Sequence, residues 1–256
     1  MHIREHRSLL ANSERRLLIS IARQLPSWVQ SDHLTLLGLV AMPAAGLAFA
    51  TLQYSWLNVG ALVFALFANW FGDSLDGTLA RVRCQPRPRY GYYVDHVIDL
   101  FGTAAVVAGM GASGLMTPTI ALVLLVAYFL VSAETFLATH TVGVFRLSFA
   151  LIGPTELRIL LALGAVAVYT HPYSEIAGQP FLLLDVSGVI AAAGLVAVFV
   201  LSALRNTRAL YLSEPIPKRA TLDDVEDIAA QSLARFAQFD LRVPCVLRAG
   251  EVRRDM

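Results

Sequence analysis

Two cysteines, Cys84 and Cys245, are all that the chain contains, which excludes a disulfide framework and a zinc site built on thiolates. No nucleotide-phosphate glycine loop, internal repeat or low-complexity segment is found. The opening MHIREHRSLLANSERRLLISIARQLPSWVQ has no early apolar run followed by a small-residue cleavage site, so it does not read as a signal peptide. Charge is scarce too, and the stretches near 53–57, 112–117 and 171–181 contain no Lys or Arg at all. What fills the chain is apolar: 56% of its 256 residues are hydrophobic and the mean hydropathy is +0.60, far above what a soluble domain of that size needs.

The expected fold is therefore an all-α integral membrane protein. Apolar runs near 34–52, 58–75, 92–111, 118–138, 157–170 and 182–204 give six transmembrane helices, each close to the roughly 20 residues that a bilayer requires except the fifth. Before them, Leu17, Leu18, Ile21, Ala22 and Leu25 recur at helical spacing against Arg15, Arg16 and Arg23, which predicts a basic amphipathic helix on the membrane surface. Three parts follow: an N-terminal cytoplasmic segment with its surface helix over 1–33, a six-helix catalytic domain over 34–206, and a cytoplasmic tail over 207–256. In the tail, Thr221 to Asp224 looks like a helix start, and DLRVPCVLRAGEV like a short extended piece docking on that helix.

Charge sets the orientation. Arg4, Arg7, Arg15, Arg16 and Arg23 precede the first span, Arg81, Arg83, Arg87 and Arg89 follow the second, Arg146 and Arg158 flank the fifth, and the rest lie from Arg205 onward. By the positive-inside rule both termini and the 81–89 turn are cytoplasmic, in the inner or plasma membrane if the source is bacterial. The net charge of +1 hides this asymmetry, and no nucleic-acid partner is needed to account for the arginines.

Within that frame, Asp73 and Asp76 stand three apart and Asp95 and Asp99 four apart, so each pair shares one helix face. An uncompensated carboxylate at a bilayer centre costs about 2.5–3.5 kcal/mol, or roughly 10–14 for four. Interfacial water at helix ends would satisfy one or two of them. Four, brought together by two helices joined through a short Arg- and Pro-rich turn, are better explained by divalent cations, for which carboxylate oxygens are the preferred hard ligands.

These residues also carry a family resemblance. Asp73-x-x-Asp76-Gly77-x-x-Ala80-Arg81 followed by Gly91-x-x-x-Asp95-x-x-x-Asp99 resembles the signature of the CDP-alcohol phosphotransferases, although the nine residues from Val82 to Tyr90 make the link about one longer than usual. The segment RQLPSWVQSDHLTLLGL more weakly resembles the choline/ethanolamine phosphotransferase branch. The resemblance implies a membrane enzyme of phospholipid biosynthesis that moves a phosphatidyl or phospho-alcohol group from a CDP-linked donor to a hydroxyl and releases CMP. The donor would be CDP-diacylglycerol with an alcohol acceptor, or CDP-choline or CDP-ethanolamine with diacylglycerol. It further implies two Mg²⁺ or Mn²⁺ ions held by Asp73, Asp76, Asp95 and Asp99, with Asp99 a ligand or the general base, and a homodimer.

On the same motif, Gly77, Ala80 and Gly91 would let a nucleotide approach the backbone, the competing reading for the glycines being helix packing. Arg81 could grip donor phosphates, whereas Arg83, Arg87 and Arg89 read as topology signals or lipid-headgroup contacts. Glu134, inside the run ALVLLVAYFLVSAETFLATH, should either have a partner, with His140, Arg146 or Arg158 as candidates, or sit at the interface a turn or two from the cytoplasm. Pro154, Thr155 and Glu156 look like a helix start, and Arg146 and Arg158 are expected to contact an anionic group of a substrate. A divalent-cation transporter is the non-enzyme alternative; it would leave Gly77, Ala80, Arg81 and Gly91 without a role.

Overall fold

A computed structural model of the chain describes residues 3–5, 11–142, 144–146, 154–214, 216, 230 and 231. Two compact units are separated, Met1–Leu210 and Tyr211–Met256. The expected tail helix start at Thr221–Asp224, the stretch DLRVPCVLRAGEV and Cys245 lie outside the described residues.

Seven helices carry the described fold: α1 (Ala11–Gln24), α2 (Ser31–Ala50), α3 (Trp56–Val82), α4 (Pro88–Ala112), α5 (Pro118–Val142), α6 (Pro154–Thr170) and α7 (Leu183–Ser213). Strand is confined to four short pieces. β1 (Ile3–Glu5) pairs in parallel with β2 (Val144–Arg146), and β3 (Tyr173–Ile176) pairs antiparallel with β4 (Gln179–Leu182) in the α6–α7 connection. Ala177 and Gly178, at φ 51° and 76°, make the two-residue turn of that hairpin with both central residues left-handed, as a type I′ turn requires.

Helix limits differ from the apolar runs where capping chemistry extends them. α4 starts at Pro88, four residues before the run, because proline at the first helical position has its φ preset and no N–H to leave unpaired. α3 continues to Val82, so that Asp73, Asp76 and Arg81 are all helical. Among the described residues, α2, α4, α5 and α7 are long and apolar enough to cross a membrane. Of the other two expected spans, α3 is interrupted by Asn58, Asn69 and Asp73, and α6 has only 17 residues.

α2 is the helix against which the site is built, packing along both α3 and α4. Small residues allow backbones to touch at both seams. A Cβ on Gly109 would stand 2.0 Å from the Gly46 carbonyl oxygen across α2–α4, and one on Gly72 would stand 2.5 Å from the Leu34 carbonyl oxygen across α2–α3. The main core, with Phe49, Leu52, Leu62, Met116 and Val168, lies away from the aspartates. A second cluster joins Leu18 and Ala22 of α1 to Leu34, Leu75 and Leu79, so part of the apolar side of the amphipathic helix is covered by the protein itself, while Leu17 stays exposed.

Leu47 and Leu57 of α2 and α3, and Ile190 and Leu201 of α7, are largely exposed. Apolar side chains facing outward in this number suit helices surrounded by lipid. Polar tethers hold α7 at both ends. Asp185 accepts from the Thr117 N–H at 2.7 Å and its hydroxyl at 2.6 Å. Near the other end, Glu134 accepts from Ser202 Oγ at 2.9 Å and Asn206 Nδ2 at 2.7 Å. Those α7 groups, rather than His140 or Arg158, are the partners of Glu134 among the described side chains, because helix α7 passes beside α5 there.

Candidate functional site

The turn between α3 and α4 closes with a Schellman motif. The Cys84 N–H donates to the Arg81 carbonyl at 3.2 Å and the Gln85 N–H to the Ala80 carbonyl at 2.9 Å, while Cys84 occupies the left-handed position at φ 55° that usually falls to glycine. Arg83 donates to the carbonyls of Leu25, Pro26 and Val29. Arg87 pairs with Asp32 and lies 4.3 Å over the Tyr90 ring. Arg83 and Arg87 thus have partners within the protein, because the α1–α2 connection offers open carbonyls and a carboxylate beside the turn.

So folded, the hairpin brings the aspartates to one small cavity, lined by Thr35 and Gly38 of α2, Asn69, Asp73 and Asp76 of α3, and Asp95, Ile98 and Asp99 of α4. Oxygens of Asp73, Asp95 and Asp99 lie within 4.8 Å of one another. Three carboxylates so close, in half-buried surroundings, repel one another unless protons or positive charge lie among them. Hard oxygen donors at that separation fit a divalent cation.

Asp76 stands beside this trio rather than in it. Its Oδ2 accepts from Thr35 Oγ1 at 2.8 Å, its Oδ1 from the Gly77 N–H, and its backbone carbonyl from Ser31 Oγ at 2.7 Å. These contacts fix the orientation of a carboxylate that still faces the cavity.

On the other side, Arg158 of α6 donates through Nη2 to Asp73 Oδ2 at 2.6 Å and through Nε to Asn69 Oδ1 at 2.7 Å. Asn69, only 2% exposed, donates onward to the Gly38 carbonyl at 3.3 Å. Arg158, expected to contact an anionic group of a substrate, is thus ion-paired with a site aspartate. Arg146 lies in β2, and its side chain is outside the described residues.

The remaining motif residues do not line the cavity. Arg81 is exposed and donates to Thr78 Oγ1 at 3.1 Å. A Cβ on Gly77 would meet only the Arg81 side chain, and one on Gly91 would meet nothing within 4 Å. Neither glycine is pressed by another helix, unlike Gly72 and Gly109, so helix packing does not account for them. Ala80 lies between them at the helix end, partly exposed. Thr35, Asn69 and the Arg158–Asp73 pair were not foreseen. An asparagine one turn before Asp73 in an apolar helix was the available signal for Asn69.

The fold and the cavity define a helical integral membrane protein organised around convergent carboxylates. Residues 28–207 match the family model for CDP-alcohol phosphatidyltransferase, and the chain belongs to that family of phospholipid-synthesising transferases. No curated protein sequence matches it. Among solved structures it is similar to the crystal structure of phosphatidylinositol phosphate synthase from Mycobacterium tuberculosis with CDP-DAG bound. That likeness, at TM-score 0.53 and 21% identity over 80% of this chain and 100% of the other, is one of fold.

Proposed function

We propose that the protein transfers a phosphatidyl or phospho-alcohol group from a CDP-linked donor to a hydroxyl, releasing CMP. The observation that supports this most is the convergence of Asp73, Asp95 and Asp99 from two helices, with Asp76 held toward the same cavity by Thr35. Asp73, Asp76, Asp95 and Asp99 would hold two Mg²⁺ or Mn²⁺ ions. Bound there, such cations supply charge neutralisation for a pyrophosphate and for the attacking and leaving oxygens.

The chain's own groups account for the other requirements. Arg81, exposed near the end of α3, takes the donor phosphates, and Gly77, Ala80 and Gly91 leave the backbone open to the nucleotide. Asp99 takes the proton of the acceptor hydroxyl as its oxygen bonds to the phosphorus distal to cytidine. The pyrophosphate P–O bond breaks, and its electron pair leaves with CMP. CDP-diacylglycerol with an alcohol acceptor is the donor we favour; CDP-choline or CDP-ethanolamine with diacylglycerol is the alternative within the class.

In the membrane, α2 to α7 supply six spanning helices. The loops near 53–57, 112–117 and 171–181, free of Lys and Arg, face outward, and the site and both termini face the cytoplasm. The three-part division at 1–33, 34–206 and 207–256 and a homodimeric state belong to the same reading.

The test is CMP release by purified protein with Mn²⁺ or Mg²⁺. One reaction offers CDP-diacylglycerol with pooled alcohols, the other CDP-choline and CDP-ethanolamine with diacylglycerol. CMP in one reaction only, abolished by Asp95→Asn, is the expected result. Absence of any cytidine-nucleotide binding would sink the proposal.

A further inference from the structure

Glu14 joins three helices beside the aspartates. Its Oε1 accepts from the Trp70 indole N–H of α3 at 2.7 Å and from the Thr155 hydroxyl of α6 at 2.8 Å. Trp70 stands three residues before Asp73, and Thr155 three before Arg158. The Glu14 bridge and the Arg158–Asp73 pair therefore tie the same two helices together about one turn apart.

The other end of α1 is pinned as well, since Arg83, just past the end of α3, binds the carbonyls of Leu25, Pro26 and Val29. Between the two pins, Leu18 and Ala22 are buried against Leu75 and Leu79. From Trp70 to Arg83, the stretch that carries Asp73 and Asp76 is thus held along its length by a helix that contributes nothing to the cavity. A first-turn carboxylate is accounted for by the helix dipole alone. Two donors from two other helices converging on one of its oxygens are not.

We propose that α1 is a splint for the aspartate-bearing stretch of α3, and that Glu14 is a positioning residue setting how α3 and α6 meet at Asp73. The inference rests on the reading of Asp73, Asp95 and Asp99 as cation ligands. It gives the amphipathic helix a task beyond membrane contact: the cation affinity of the cavity depends on α1 being seated.

The test is Mn²⁺ binding, followed by the EPR signal of the free ion, to full-length protein in detergent without nucleotide. Loss of a carboxylate's outer partner typically costs 10–100-fold in metal affinity. Glu14, one contact further out, should on that scale cost about 3–10-fold in Glu14→Ala. Glu14→Gln keeps the acceptor oxygen and should restore affinity, and Arg16→Ala, on the exposed side of α1, should bind as the unaltered protein does. If Glu14→Ala does not fold, Thr155→Val removes one donor and should shift affinity the same way by less. Unaltered Mn²⁺ affinity in whichever of these two variants folds, with the parent binding normally, overturns the splint alone. Failure of the parent protein to bind Mn²⁺ overturns the cation reading and the splint with it.

Discussion

Arg158 and Asp73, 85 positions apart, form an ion pair of 2.6 Å in which the side chains keep only 13% and 23% of their exposure. The guanidinium serves two acceptors at once, Asp73 and Asn69, a geometry that a lysine ammonium does not reproduce. Arg158→Lys should therefore lower Mn²⁺ affinity by about tenfold, and Arg158→Met by more, within the range known for partners of metal ligands. Titration of Mn²⁺ into the purified variants measures this; equal affinities would separate Arg158 from the site.

At the α2–α4 seam, Gly109→Ala places a methyl 2.0 Å from the Gly46 carbonyl oxygen, and backbone on both sides cannot yield without the helices parting. A loss of about 1–3 kcal/mol is expected, read as a lowered unfolding midpoint in detergent. Gly60→Ala, with nothing within 4 Å of the added carbon, should instead be neutral or slightly stabilising.

Glu134→Leu removes the acceptor shared by Ser202 and Asn206. Interhelical hydrogen bonds in membranes are worth roughly 0.6–1.7 kcal/mol each, so losing two should make unfolding easier by about 1–3 kcal/mol. Glu134→Gln, which retains an acceptor, should lie close to the parent. Unfolding midpoints of both variants give the comparison.

Cys84 holds a left-handed backbone at φ 55°. Cys84→Gly should stabilise the turn by about 0.5–1 kcal/mol, the relief of strain exceeding the entropy that glycine adds to the unfolded chain. A shift of the unfolding midpoint upward checks it, and a downward shift would show that the thiol makes contacts outweighing the strain.

The aspartate hairpin could be read in advance because its information is local: spacings of three and four residues place side chains on a helix face whatever surrounds that helix. The helices followed from apolar runs for the same reason. What stayed hidden depends on how helices rotate against one another. Glu134 in an apolar run calls for a partner or for interfacial water, yet nothing local in the sequence points to two neutral side chains of α7, Ser202 and Asn206, as the groups that meet the need. Thr35 and Asp76, 41 positions apart, meet only because Gly72 and Gly38 let α2 and α3 draw together. Likewise the amphipathic pattern of α1 marked an apolar face without saying whether lipid or Leu75 and Leu79 would cover it.

α3 and α4 touch each other little, whereas each lies closely along α2. The span between the two sets of carboxylates is consequently gauged by a third helix that supplies none of them, as the thickness of a spacer sets the gap between two jaws. Changes at Gly46, Gly72 or Gly38 would widen or skew that gap while leaving every aspartate in place. The separation of the two carboxylate pairs is thus written in the bulk of the side chains along the seams of α2.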